Sequence, residues 1–191
     1  MTRRDLAVIV VAAGRGERLK ASAPKAFVEL NGRTILAHSL TPLVDLSALA
    51  QVVIAAPATH LAEATEIANS VLTTDATLDV VVGGDTRQQS IANALAVVND
   101  DVEVVLVHDA ARAFASSALF ESAADADRTT SASVIPALEI ADTIKRVSAN
   151  QVQETVDRSS LRSAQTPQGF IAAELKRAYA NASDDFTDDA A

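Results

Sequence analysis

Four basic residues crowd one short stretch of this sequence. Arg15, Arg18, Lys20 and Lys25 fall between Gly14 and Lys25 against the single acid Glu17, a local balance of +3 in a chain whose net charge is −9. The stretch follows the apolar run Leu6–Ala13 and reads Ala12-Ala13-Gly14-Arg15-Gly16-Glu17-Arg18-Leu19-Lys20, then Pro24-Lys25. Small residues let backbone N–H groups approach an anion, and Arg and Lys neutralise it, so polyphosphate binding is the chemistry this pattern offers. A dinucleotide fingerprint needs a third glycine where Leu19 stands, and a Walker A loop needs Gly-Lys-Ser/Thr, which is missing. A glycine turn with solvated charges is the plainer alternative.

Two further segments have the same character. Gly83-Gly84-Asp85-Thr86-Arg87-Gln88-Gln89-Ser90 follows an apolar run and opens a helical pattern. It is either a turn with an ordinary Asp or Thr cap or a second loop offering backbone groups, a carboxylate and hydroxyls to a nucleoside. His108-Asp109-Ala110-Ala111-Arg112 ends another apolar run, bringing an Asp and an Arg out together. There the choice is between a functional pair and an internal Asp109–Arg112 ion pair, and His108 reads as a semi-buried structural histidine. Thr155-Val156-Asp157-Arg158 and Ala164-Gln165-Thr166-Pro167-Gln168 add charges and hydroxyls later in the chain.

The elements that must position these residues are legible from apolar patterning. Continuous runs at Leu6–Ala13, Val52–Ala56, Leu78–Val82, Val102–Val107 and Ser133–Ala137 predict strands buried on both faces. Helical spacing separates them at Thr34–Leu46, Thr59–Leu72, Thr86–Val98 and Ser116–Ala126, with Pro42 expected to kink or end the first. The alternation predicts an α/β chain, a mostly parallel sheet with helices on both faces and ligands beyond the carboxyl ends of the strands. From Asp142 the pattern changes to a two-stranded excursion through Arg158, followed by a helix over Ile171–Ala180 and an acidic tail, Asp184–Ala191.

With 191 residues, 49% hydrophobic and 21% charged, the expectation is one globular domain over 1–191. No cysteine and three scattered histidines, His38, His60 and His108, leave no zinc-thiolate or iron–sulfur chemistry and no metal-ligand spacing. An acidic balance with 3% aromatics argues against nucleic acid as a partner. Arg3 and Arg4 before the first apolar run imitate a secretory signal, but Asp5 and the charged loop that follows argue against one, and no run is long enough to span a bilayer. The expected location is the cytoplasm, with no membrane contact.

Taken in order, eight motifs resemble the 2-C-methyl-D-erythritol 4-phosphate cytidylyltransferases of isoprenoid precursor biosynthesis. They are Ala12-Ala13-Gly14-x-Gly16-x-Arg18, Pro24-Lys25, Gly83-Gly84-Asp85-x-Arg87-x-x-Ser90, His108-Asp109-Ala110-Ala111-Arg112, Asp142-Thr143-x-Lys145, Thr155-Val156-Asp157-Arg158, Thr166-Pro167-Gln168 and Thr187-Asp188-Asp189. The resemblance implies a Rossmann-like, doubly wound α/β fold with a protruding β-arm, residues 138–160, exchanged between the subunits of a homodimer. It implies that Ala12, Ala13, Gly14, Arg18 and Lys25 hold the CTP phosphates, and that Gly84, Asp85, Ser90 and Ala110 read cytosine and ribose. Asp109, Arg112, Thr166 and Thr187, with Thr143 and Arg158 of a partner, are implied to hold the polyol phosphate. Arg18, Lys25 and Arg158 are the expected catalytic residues, and Mg²⁺ arrives with CTP without a named protein ligand.

Ala113 stands where the family usually has proline. The sequence given also stops soon after Thr187-Asp188-Asp189, where the family normally continues into a segment with a phosphate-contacting lysine; weak CTP binding and poor turnover are the expectation for a chain without it. Ribitol 5-phosphate as acceptor, or a nucleotide-binding dimer without turnover, are the alternatives to the implied reaction.

Overall fold

The computed structural model describes residues 3–14, 16, 23–130 and 132–181. In chain order the elements are β1 (Leu6–Val11), β2 (Glu29–Leu30), β3 (Arg33–Thr34), α1 (Ile35–Leu40), β4 (Leu49–Ala56), α2 (Leu61–Val71), β5 (Thr77–Val82), α3 (Arg87–Leu95), β6 (Val104–Asp109) and α4 (Ser117–Thr130). Then follow β7 (Ala137–Glu139), β8 (Ile144–Ser148), β9 (Gln151–Val156), β10 (Arg162–Ala164), β11 (Gln168–Ile171) and α5 (Ala172–Asn181).

The apolar runs form the strands for the reason that their lack of alternation predicts. Within β1, Val8 and Val10 belong to one core with Leu36, Leu40, Ile54 and Phe120, while Ala7 and Ile9 belong to a second with Val53, Ile91, Val105 and Leu175. A strand covered on both faces has no side for polar residues. Helices α1, α2 and α4 supply the first core and α3 and α5 the second, so the five-stranded sheet, ordered β11-β6-β1-β4-β5, is the middle of three layers. The β1–β4, β1–β6 and β4–β5 pairings are parallel, and β11 joins β6 antiparallel.

Local chemistry sets the helix boundaries. The Thr34 hydroxyl accepts from Ala37 N–H at 3.1 Å to open α1, and the Thr86 hydroxyl accepts from Gln89 N–H at 3.1 Å to open α3. Pro42 acts as anticipated: α1 stops at Leu40 and the chain continues as a 3₁₀ turn over Thr41–Asp45.

Three expectations need correction. Ser133–Ala137 is not a core strand: Val134 makes only an isolated bridge to Gly169, and β7 lies exposed, paired with β10 outside the main sheet. The fifth strand of the sheet is β11, four residues whose Gln168 and Gly169 hide them from apolar patterning, and the helix expected from Ile171 begins at Ala172. β5 is only partly buried, because it is the edge of the sheet with a neighbour on one side. The excursion after Asp142 is the antiparallel hairpin β8–β9. The acidic tail Asp184–Ala191 lies outside the described residues.

Gln51 is a polar side chain in the middle of β4 with no solvent exposure. Its amide nitrogen donates to Asp79 Oδ2 at 2.7 Å and to Val97 O at 2.9 Å, and its amide oxygen accepts from Asn99 N–H at 2.9 Å. That satisfaction is what makes its burial tolerable, and it pins β5 and the end of α3 to the central sheet.

Leu106 is fully buried in β6, between β1 and β11. Leu106→Ala is expected to lower stability by about 3 kcal/mol, the transfer term plus the cavity left in a packed layer, read as a reduced urea midpoint with an unchanged slope.

Candidate active site

The parallel ladders run one step beyond the strands. Ala12 N–H donates to Ala55 O at 2.8 Å, Gly83 N–H to Ala56 O at 2.8 Å and Ala110 N–H to Val11 O at 3.1 Å. The loops after β1, β5 and β6 therefore leave the sheet at one height, and between them lies a cavity of about 760 Å³. Ala13, Gly14 and Gly16 line it from the first loop, Gly84, Asp85, Arg87 and Ser90 from the second, and Asp109 and Ala111 from the third.

The glycines are there for space. A Cβ on Gly83 would stand 2.2 Å from the Ala13 Cβ, and one on Gly84 would stand 2.2 Å from the Gln89 Cβ, so the first two loops touch backbone to side chain. Gly16 has φ +64° and faces Lys25, whose Cβ would be 2.7 Å from an added Cβ. Lys25, at the start of the 3₁₀ turn Lys25–Phe27, therefore stands next to Gly16, one of the residues that line the cavity. Arg18 lies outside the described residues, as do Arg15 and Lys20.

The second loop is held by its own side chains. Ser90 Oγ accepts from Gly84 N–H at 3.0 Å and donates to Thr86 O at 2.9 Å, and Gln89 Oε1 accepts from Asp85 N–H at 2.9 Å. Ser90 is buried and Asp85 exposed, so the hydroxyl shapes the loop while the carboxylate is presented to solvent.

In the third loop Asp109 meets two guanidinium groups, Arg87 Nε at 3.3 Å from Oδ1 and Arg112 Nε at 3.6 Å from Oδ2. Arg112 also donates to the Gln165 side chain and, at 3.4 Å, to Ala164 O. Thr166 is buried, and its hydroxyl accepts from Asp109 N–H at 3.2 Å and bonds His108 Nδ1 at 3.1 Å. Of the predicted residues, Ala12 and Ala110 are buried, and their backbone N–H groups are the ones that extend the ladders to Ala55 O and Val11 O. Thr143 and Arg158 are exposed at the open end of the β8–β9 hairpin, where Arg158 donates to Ala141 O, and neither lines the cavity. Thr187 lies outside the described residues.

The family model for 2-C-methyl-D-erythritol 4-phosphate cytidylyltransferase matches residues 6–191. The chain belongs to this family. A protein of that name from Saccharopolyspora erythraea is 43% identical over 190 residues, covering 97% of this chain and 84% of its own length. The bifunctional enzyme IspD/IspF of Clavibacter michiganensis subsp. michiganensis is 50% identical over 188 residues, and the match takes in 97% of this chain but 46% of that larger protein. Among solved structures, the 4-diphosphocytidyl-2C-methyl-D-erythritol synthase of Anaerococcus prevotii superposes with a TM-score of 0.82 at 26% identity, covering 97% of this chain and 79% of that one. The cytidylyltransferase of Thermus thermophilus gives 0.73 at 31% identity, over 95% and 80% of the two chains. The doubly wound α/β architecture is thus the architecture of the cytidylyltransferase family.

Sequence reasoning assigned no role to Arg87 and took His108 for a semi-buried residue. His108 is in fact wholly buried, its ring 4.9 Å from that of Phe120, and its Nε2 has no hydrogen-bond partner. The signal available in the sequence was its place directly after the continuous apolar run Val102–Val107. Burial lowers its pKa from 6.5 to about 4, against the opposing pull of Asp109, so the imidazole is neutral at physiological pH.

The consequence is measurable. Below pH 6.5 the unfolded chain takes up a proton at this histidine that the folded chain refuses until about pH 4, so the stability it allows at neutral pH is lost progressively across that window. The loss is about 3 kcal/mol in total by linkage. Buried Asp127 acts in the opposite direction, since burial raises its pKa from 3.8 to about 6 and the folded state gains a proton as pH falls. Comparing urea midpoints at pH 7 and pH 4.5 for the native protein and His108→Gln cancels the Asp127 contribution; the variant is expected to lose markedly less stability on acidification.

Proposed function

We propose that this chain transfers the cytidylyl group of CTP to 2-C-methyl-D-erythritol 4-phosphate, releasing pyrophosphate, as the names of its relatives indicate for them. The observation that carries the reading is the meeting of three loops, rich in small residues and each bearing charged groups, around one cavity at the carboxyl edge of the sheet. The acceptor phosphate attacks the α-phosphorus in line as the phosphorus–oxygen bond to pyrophosphate breaks. That phosphate is already ionised, so no general base is required and catalysis is positioning plus charge stabilisation.

In this reading the backbone of Ala12, Ala13 and Gly14 faces the triphosphate, with Lys25 and Arg18 meeting the charge that develops on it. Gly84, Asp85, Ser90 and Ala110 bound the nucleoside side, and Asp109, Arg112 and Thr166 the acceptor side. Ser90 and Thr166 contribute by fixing loops, since their hydroxyls are engaged within the protein. Magnesium would arrive with the triphosphate and would supply further neutralisation of its charge, with no protein ligand named for it. Asp109, with a guanidinium on each oxygen, is a poor ligand for it.

The hairpin β8–β9 acts as an arm exchanged with a second copy in a cytoplasmic homodimer, which brings Thr143 and Arg158 to the partner's site. Support comes from apolar side chains that the described residues leave more than half exposed: Val147 and Val152, paired across the hairpin, at 55% and 61%, and Leu138 at 61%.

Lys25→Ala is expected to lower turnover by about 10²–10³, the effect of removing one preorganised electrostatic donor, with circular dichroism unchanged. Pyrophosphate release from CTP, with methylerythritol phosphate and ribitol 5-phosphate offered separately, measures this and identifies the acceptor. The arm is tested by mixing. When Lys25→Ala and Arg158→Ala chains are refolded together, some mixed dimers regain one intact site and part of the activity returns; no recovery would place Arg158 outside the partner's site.

A further inference from the structure

Arg87 stands on the first turn of α3, in the loop on the nucleoside side of the cavity, yet its guanidinium reaches across to Asp109 at the end of β6. Both side chains are about one-quarter to one-third exposed, 26% and 31%, so the pair is shielded without being buried. Asp109 is held from both ends, Oδ1 by Arg87 and Oδ2 by Arg112. Arg112 in turn divides its donors between Asp109 and the segment at Ala164 and Gln165.

We infer that Arg87 is a positioning residue for the acceptor, acting through Asp109. A carboxylate and an arginine three residues apart on a turn can collapse into a bidentate pair, which is their preferred mutual geometry. Arg87 on Oδ1 prevents this by holding one oxygen, so Asp109 keeps its carboxylate open to the cavity and Arg112 keeps its remaining donors toward the Gln165 side. Without Arg87, Asp109 rotates onto Arg112 and withdraws from an incoming polyol phosphate both the hydroxyl acceptor and much of the guanidinium. The same bridge ties the loop after β5 to the loop after β6, so the nucleoside wall and the acceptor wall are positioned relative to one another. This inference rests on the acceptor side being where the proposed function puts it.

The test separates acceptor from nucleotide effects. In Arg87→Met, KM for methylerythritol phosphate is expected to rise at least tenfold while the Kd for CTP, measured by calorimetry, moves less than twofold; Arg87→Lys recovers only part, because a point charge replaces a planar fork. On an Asp109→Asn background, Arg87→Met should add little, since its route of action is already cut. A CTP Kd that rises in step with the acceptor KM, or a full additive loss in the double variant, would overturn the inference and make Arg87 a nucleotide contact or an independent group. Should the native protein fail to turn over either polyol phosphate, the function reading falls, and the same cycle run on urea midpoints decides the bridge. Non-additive midpoints support it and additive ones overturn it.

Discussion

The geometry of this molecule depends on the register of three parallel ladders. β1 is flanked by β4 and β6, and at their carboxyl ends Val11 stands opposite Ala55 and Asp109. Because each ladder continues for one more hydrogen bond, at Ala12, Gly83 and Ala110, the chain turns away from the sheet only after its backbone groups are paired. A slip of one residue in any ladder would invert a strand's two faces between the two cores and lift one loop out of the cavity. Register fixes the site, and register is fixed by burial on both sides.

Above the sheet, polar side chains shape backbone rather than reach for a ligand. Ser90, Gln89 and Thr86 tie the second loop to the first turn of α3, and Thr166 ties β6 to the segment before β11. Each contributes about 1 kcal/mol. Their value lies in removing alternatives, since the first two loops pack so closely at Gly83 that an added Cβ would stand 2.2 Å from the Ala13 Cβ. Buried imperfection is confined to places under tight packing: Asp127, both of whose carboxylate oxygens lack a hydrogen-bond partner, sits against Gly169, and His108 lies beneath Asp109. The neutrality that burial forces on His108 keeps a third cation away from Asp109, which already faces Arg87 and Arg112.

What the sequence disclosed follows from the range of the forces involved. Strands buried on both faces are written as uninterrupted apolar runs, and β1, β4 and β6 were read from them; Thr34 and Pro42 act within a few residues and set α1 as expected. Hidden were features that need a distant partner. β11 joins the sheet because β6 has an open edge, which Gln168-Gly169-Phe170-Ile171 alone does not announce. Gln51 is tolerable only beside Asp79, Val97 and Asn99, 28 to 48 residues away in sequence. Ser133–Ala137 has the composition of a core strand, but it meets the sheet only through the single bridge of Val134 to Gly169 on the edge strand β11. The three loops were legible as sites, and the Arg87–Asp109 bridge between two of them was not.

Charge explains how an acidic chain can serve polyanionic substrates. Of the described basic groups away from the cavity, most are matched to a carboxylate: Arg3 to Glu103, Arg4 to Asp75, Arg128 to Asp5 and Asp125, Arg146 to Glu154, Lys176 to Asp100 and Arg177 to Glu174. Exposed pairs of this kind add little stability. Their effect is on the field: each cancels its own charge at short range, so the surface far from the site presents little positive potential to attract a phosphate. The basic stretch from Gly14 to Lys25, with four cations against Glu17, is the exception in the sequence, and of its described residues Gly14 and Gly16 line the cavity. In the proposed function, a chain of net charge −9 that gathers its surplus cations in the one stretch Gly14–Lys25 raises the fraction of polyanion encounters that begin there.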